Sequence, residues 1–160
     1  MINITVICIG RLKEKYLTDA CDEYLKRMNG LCKMNVVELN ASPLSTNPND
    51  AEIKAALSSE AKSIIAKIPK NSRVWTLCIE GAQKSSEQLA QMIETAAVDG
   101  NGNITFIIGG SFGLSDEVKA LSQQRLSMSK MTFPHQLARV MLLEQIYRAL
   151  QINAGTKYHK

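Results

Sequence analysis

Apolar positions along this chain follow two periods that take turns. Ile2–Ile9 is a nearly continuous apolar run closed by Gly10, which predicts a buried strand. From Glu14 to Met28 the apolar residues Tyr16, Leu17, Ala20, Cys21, Tyr24, Leu25 and Met28 recur at three- and four-residue steps, which predicts a helix. Lys33–Leu39 returns to the strand pattern. Asn40–Asn49 then carries two prolines with Asn and Ser residues and reads as a loop. Asp50 is placed to cap a helix running to about Ile68, where Pro69 stops it. Arg73–Ile79 predicts a strand, Glu80–Lys84 a loop, and a helix capped by Ser85 or Ser86 runs to about Val98. A turn over Asp99–Asn103 leads into the apolar strand Ile104–Ile108, and Ser115 caps a short helix. Leu126–Ser129 is a candidate last strand, followed by a long helix over Gln136–Asn153.

Strands separated by helices of this length form βαβ units. The expected fold is therefore α/β, a mostly parallel sheet flanked by helices on both faces. The chain's 160 residues suit one domain, residues 1–160, with no repeat, linker or low-complexity stretch. No apolar run reaches the ~20 residues of a membrane span, and the start of the chain lacks the basic leader and cleavage site of a signal peptide. A cytoplasmic protein, with no membrane partner, is the expectation. Cys8, Cys21, Cys32 and Cys78 show no Cys-x-x-Cys spacing and no His beside them in sequence, so neither a metal nor a disulfide is expected.

Charge changes the picture in one place. The chain as a whole carries +4, yet Val118–Lys160 holds seven basic residues against the single acid Glu144, a local excess of +6. A polyanionic partner would meet that end first. A solvated helix face balanced by acids elsewhere explains the same residues almost as well.

Parallel sheets bind ligands beyond the carboxyl ends of their strands. Three loops there stand out: Leu77–Gly81, Gly109–Leu114 and Ser127–His135. Gly109, Gly110 and Gly113 let backbone approach a ligand closely. Their spacing matches neither the dinucleotide fingerprint nor the phosphate loop, which disfavours a dehydrogenase or an NTPase. A tight strand-to-helix turn accounts for them equally well. The last long helix is apolar almost all round through Val140–Leu143, which calls for neighbours on more than one side, a second subunit among them.

Three segments together carry a specific resemblance. They are Ile108-Gly109-Gly110 with Gly113-Leu114, then Ser127–His135 with Arg139-Val140, then Glu144–Ala149 with the terminal Tyr158-His159-Lys160. With Gly10–Tyr16 at the other end, the chain resembles the RlmH family of SPOUT methyltransferases along its whole length. The resemblance implies an α/β knot with a C-terminal trefoil knot, used as a homodimer. It implies S-adenosyl-L-methionine held by Leu77, Gly109 and Met128, Ser129, Lys130, Met131, Thr132 and Phe133. It further implies methyl transfer to N3 of a pseudouridine in large-subunit (23S) ribosomal RNA, on assembled ribosomes.

The acceptor nitrogen must lose a proton, so a base or an anion-stabilising cation is useful. His135, Arg139 and His159 are the candidate catalytic residues, and Tyr158, His159 and Lys160 the candidate substrate contacts. Each has a plainer reading. His135 is placed to start a helix, Arg139 to clamp RNA or a carboxylate or to pair with Glu144 across an interface, Glu144 with Arg148 along one helix face, and the tail to be disordered. A non-catalytic RNA-binding module remains the rival function, since the basic end alone would serve it.

Overall fold

In the computed structural model, which describes residues 1–99 and 102–160, the first apolar run forms strand β1 (Asn3–Ile9). Its alternation sets how the sheet is dressed. Ile4, Val6 and Cys8 face one core and Ile7 and Ile9 the other, all at 1% exposure or less. Helix α1 (Lys15–Met28) leads to β2 (Lys33–Leu39), and α2 (Asp50–Lys67) to β3 (Arg73–Gln83). Helix α3 (Ser86–Val98) leads to β4 (Asn103–Ile108), and α4 (Asp116–Leu121) to β5 (Gln124–Ser127). Helix α5 (His135–Asn153) closes the order. The five strands are all parallel, in the order β2-β1-β4-β3-β5.

Connections that step toward β2 use α1 and α3 on one face. Those that step toward β5 use α2 and α4 on the other. That division follows when every crossover has the same hand. It leaves a slot on the first face, and α5 fills it between α1 and α3. The apolar girth of α5 is thus largely spent within the chain: Leu142, Leu143, Ile146 and Ala149 lie at 2% exposure or less beneath α1, α3 and the sheet.

Local signals set most boundaries. Ser85 and Gln88 form a reciprocal capping box at the start of α3, and Ser115 caps α4 through the Val118 amide. Several expected boundaries move. Asn49, not Asp50, caps α2, its Oδ1 accepting from the Glu52 amide at 2.8 Å. Strand β5 starts at Gln124 rather than Leu126, because Gln124 and Arg125 pair with Trp75 and Thr76, and it ends at Ser127, where the chain turns. Gly100 and Asn101, within the expected turn over Asp99–Asn103, lie outside the described residues. The four cysteines are free and buried, and burial pushes the thiols of Cys8 and Cys32 up to about 12 and about 11. They act as small hydrophobes.

Strand β3 runs past its expected end at Ile79. It pairs with Leu126 through Leu77, swings out over Cys78–Gly81, and pairs again with the same strand through Ala82 and Gln83. At the return the Gly81 backbone presses on β5. A Cβ at Gly81 would stand 2.7 Å from the carbonyls of Arg125 and Leu126, closer than any real side chain sits. Gly81→Ala should therefore force backbone apart in the sheet and cost about 2 kcal/mol. Urea unfolding monitored by circular dichroism measures this, and an unchanged midpoint contradicts the close approach.

Candidate ligand and catalytic site

The crevice expected at a parallel sheet's switch point lies here between β1 and β4, whose outgoing helices diverge. It is plugged. The first turn of α5 sits over it, tied down by the Lys13 amide donating to Gln136 Oε1 at 3.0 Å. Arg139 completes the plug: its Nη1 lies 2.6 Å from Glu38 Oε2 and its Nη2 donates to the Gly10 carbonyl at 3.0 Å. Open space is displaced to the neighbouring ends of β3, β4 and β5.

There a cavity of about 820 Å³ is enclosed by the three loops singled out above. Leu77, Cys78, Ile79 and Glu80 line it from β3. Ile108–Leu114 line it from β4, and Leu126–Ser129 with Met131–His135 from β5. Two glycine positions are required by the main chain itself. A Cβ on Gly109 would come 2.6 Å from the Gly113 carbonyl carbon, and Gly113 adopts φ +77°, which disfavours any other residue. The β5 loop is pinned by its own hydroxyls, Ser127 Oγ donating to the Ser129 carbonyl and Ser129 Oγ accepting from the Met131 amide, both at 3.0 Å. The walls are thus backbone and apolar side chains, suited to a flat heteroaromatic group whose edge takes main-chain hydrogen bonds.

Of the residues expected to hold a cofactor, Leu77, Gly109, Met128, Ser129, Met131, Thr132 and Phe133 line this cavity. The exposed Lys130 is not among the lining residues. His135, first residue of α5, does line it. Arg139 does not; it is 3% exposed and clamps the Glu38 carboxylate of its own chain. Sequence reading missed the charged part of the wall. Glu80 and Lys119 meet at 2.6 Å, and both line the cavity. Only an unusual Glu between an apolar strand and a glycine hinted at it.

The tail is ordered and docked on its own chain. Glu144 pairs with Arg148 at 2.7 Å and accepts from the Tyr158 hydroxyl at 3.1 Å. The Tyr158 ring packs edge-on to Tyr147 and lies beneath the Arg148 guanidinium, 4.7 Å from its centroid. His159 Nε2 lies 2.8 Å from Glu87 and its Nδ1 3.3 Å from Arg148 Nη1, which fits a ring donating from Nε2 and accepting at Nδ1. Neither Tyr158 nor His159 lines the cavity, while Lys160 is exposed. Beside the cavity, a second hollow of about 430 Å³ shares Leu77, Leu126, Ser127 and Met128 with it and extends to Ser85, Ser86 and Glu144. Among the described residues no cluster of three or more His, Cys, Asp or Glu side chains is placed to hold a metal, and no helix is long and apolar enough to cross a membrane.

Comparison with known proteins places the chain in a family. The family model described as "Predicted SPOUT methyltransferase" matches residues 2–159. The chain is 50% identical over 159 residues to ribosomal RNA large subunit methyltransferase H of Clostridium novyi (strain NT), covering 99% of this chain and all of that protein. It is 47% identical, with the same coverage, to the protein of that name from Clostridioides difficile (strain 630). Among solved structures, a probable methyltransferase from Bordetella pertussis Tohama I superposes with a TM-score of 0.58 at 12% identity, covering 92% of this chain and 93% of that one. A probable methylase family protein from Haemophilus influenzae Rd KW20 gives 0.53 at 15% identity, over 98% and 70%. At such identities the structural likeness bears on the fold alone.

His135 yields a pH prediction. Burial, then the positive charges of Arg139 and Lys13, hold its imidazole below the ordinary 6.5. The unfolded chain therefore takes up this proton first. The contribution to stability is complete above about pH 6.5 and is lost as pH falls through the lower folded value. Proton NMR should place the His135 midpoint below 6.5 and move it upward in Lys13→Met. A midpoint at or above 6.5 contradicts the placement.

Proposed function

The chain belongs to the SPOUT methyltransferase family, and from that premise we propose that it methylates large-subunit ribosomal RNA at N3 of a pseudouridine, using S-adenosyl-L-methionine. The observation that carries this is the cavity at the ends of β3, β4 and β5. Its volume of about 820 Å³ suits a nucleoside-sized ligand, and its walls are backbone and apolar groups with few charges. Leu77, Gly109 and Met128, Ser129, Lys130, Met131, Thr132 and Phe133 would hold the donor. Met131 and Phe133 serve as apolar walls, and Lys130, outside the lining, belongs to the same loop. We read residues 1–160 as one methyltransferase domain.

Bound there, S-adenosyl-L-methionine supplies an electrophilic methyl group on its sulfonium. The chain's own residues do the rest. The loops fix the donor's orientation and exclude water, which is most of what an in-line displacement requires. His135 lines the cavity, and its lowered proton affinity leaves the imidazole neutral near pH 7. It can accept the N3 proton directly or through a water. Arg139 acts at one remove: its ion pair holds α5, and through α5 the position of His135. Tyr158, His159 and Lys160 would meet RNA after leaving the docking site on Glu144 and Glu87. The C-terminal segment would be threaded as the trefoil knot that the family resemblance implies. Action on ribosomal RNA locates the protein in the cytoplasm.

The working form would be a homodimer. Tyr16, Phe112, Met131 and Leu137 are exposed, Tyr16 at 69% and Met131 at 74%, and all belong to segments at the carboxyl ends of the strands. Large apolar groups exposed on these segments are what a second copy would cover. Sedimentation equilibrium should give twice the chain mass at micromolar protein, and Met131→Lys should shift it toward monomer. A monomer throughout contradicts the dimer without touching the chemistry.

For the activity, mass spectrometry of ribosomal RNA from a strain lacking the gene should show one methyl missing from a pseudouridine. The purified protein with S-adenosyl-L-methionine should restore it on isolated ribosomes. If the methyl persists in the deletion strain, the assignment fails.

A further inference from the structure

Among the described residues lining the cavity, the two that carry formal charge are Glu80 and Lys119, and they bind each other at 2.6 Å. They come from different elements: Glu80 from the out-swung part of β3, Lys119 from α4. The Lys119 side chain is 21% exposed and that of Glu80 53%, so the pair stands at the cavity's wet rim rather than in its core. An exposed pair of this kind adds little to stability, typically under about 1 kcal/mol. Its position on a ligand cavity asks for another explanation.

The pair is electrically neutral as a unit but strongly dipolar. A phosphate approaching Lys119 would meet the Glu80 carboxylate, and a simple cation approaching Glu80 would meet the Lys119 ammonium. A ligand group carrying both charges, side by side, is favoured by each partner in turn. A lysine ammonium has three donors and a carboxylate two oxygens, so one mutual contact leaves capacity on both. Resting on the donor reading above, we propose that Glu80 and Lys119 form the subsite for the amino-acid end of the methyl donor, Glu80 receiving its α-ammonium and Lys119 its α-carboxylate. The adenosine then occupies the apolar, backbone-lined remainder. The ion pair keeps the two charges at the spacing of the zwitterion before the ligand arrives, so little reorganisation accompanies binding.

Two probes isolate this subsite. S-adenosylhomocysteine and 5′-methylthioadenosine share the adenosine and the thioether, and only the first has the amino-acid end. By calorimetry the unaltered protein should bind S-adenosylhomocysteine more tightly. Lys119→Met and Glu80→Gln should each weaken it about tenfold, the worth of one charge-assisted hydrogen bond, while 5′-methylthioadenosine binding stays within twofold. Equal weakening of both probes would make the pair a mere strut and overturn the proposal. So would an unaltered protein that does not distinguish them, a result that needs no variant to fold. Binding of neither probe would instead bring down the donor reading itself.

Discussion

Arg139 sits at 3% exposure with the Glu38 carboxylate 2.6 Å from one nitrogen and the Gly10 carbonyl 3.0 Å from another, and most groups around the cavity take their positions from it. A charge withdrawn from water costs several kcal/mol unless it is paired and hydrogen-bonded. The sequence meets that condition with an acid near the end of β2 and the carbonyl that ends β1. Only one placement of α5 satisfies both, so the pair works as a register pin for the last helix. His135 lies one turn earlier on the same face, over Gly10, where burial and then the nearby guanidinium lower its proton affinity. The loop before it must then close over β3 and β4, which makes the cavity. Plugging the switch point and opening a pocket one strand over are two consequences of the same ion pair.

The other end of α5 solves a different problem. Glu144, Arg148, Tyr158 and His159 form a half-buried polar cluster in which one carboxylate serves both a guanidinium and a phenol. Tyr158 and His159 are held by contacts that water or RNA phosphates can replace, since Glu87 and Arg148 are only partly covered. Burial grades along the helix, from a fixed pin at Arg139 to an exchangeable latch at the tail. Such a gradient leaves the helix rigid where it borders the pocket and its far end open to local rearrangement.

How much of this could be read from sequence depends on which atoms carry the information. Strands and helices were legible because alternation and helical spacing are side-chain patterns. The three loops, and nearly all of the residues later found around the cavity, followed from position at strand ends and from family resemblance. The return of β3 to its neighbour was not legible. Glu80, Gly81 and Ala82 look like a loop, and the pairing that follows Gly81 is made by backbone, which leaves no trace in residue type. A carboxylate clamp at Arg139 was readable as one alternative, but its partner was not: Glu38 is 101 positions away and reaches it only through the sheet. The girth of α5 was read correctly as needing several neighbours, but α1 and α3 supply most of them.

A cavity built largely from main chain also explains why motif spacing said so little about the ligand. Gly109 is needed because Gly113 passes too close, and Gly81 because β5 does; neither requirement imposes the spacing of a phosphate loop. Backbone amides and carbonyls recognise the edge of a base without committing any side chain. Side-chain chemistry is then reserved for places where charge must be met or a proton moved. In this cavity the side chains available for that are the Glu80–Lys119 pair and His135. A site divided in this way gains its shape from the fold and its chemistry from three side chains.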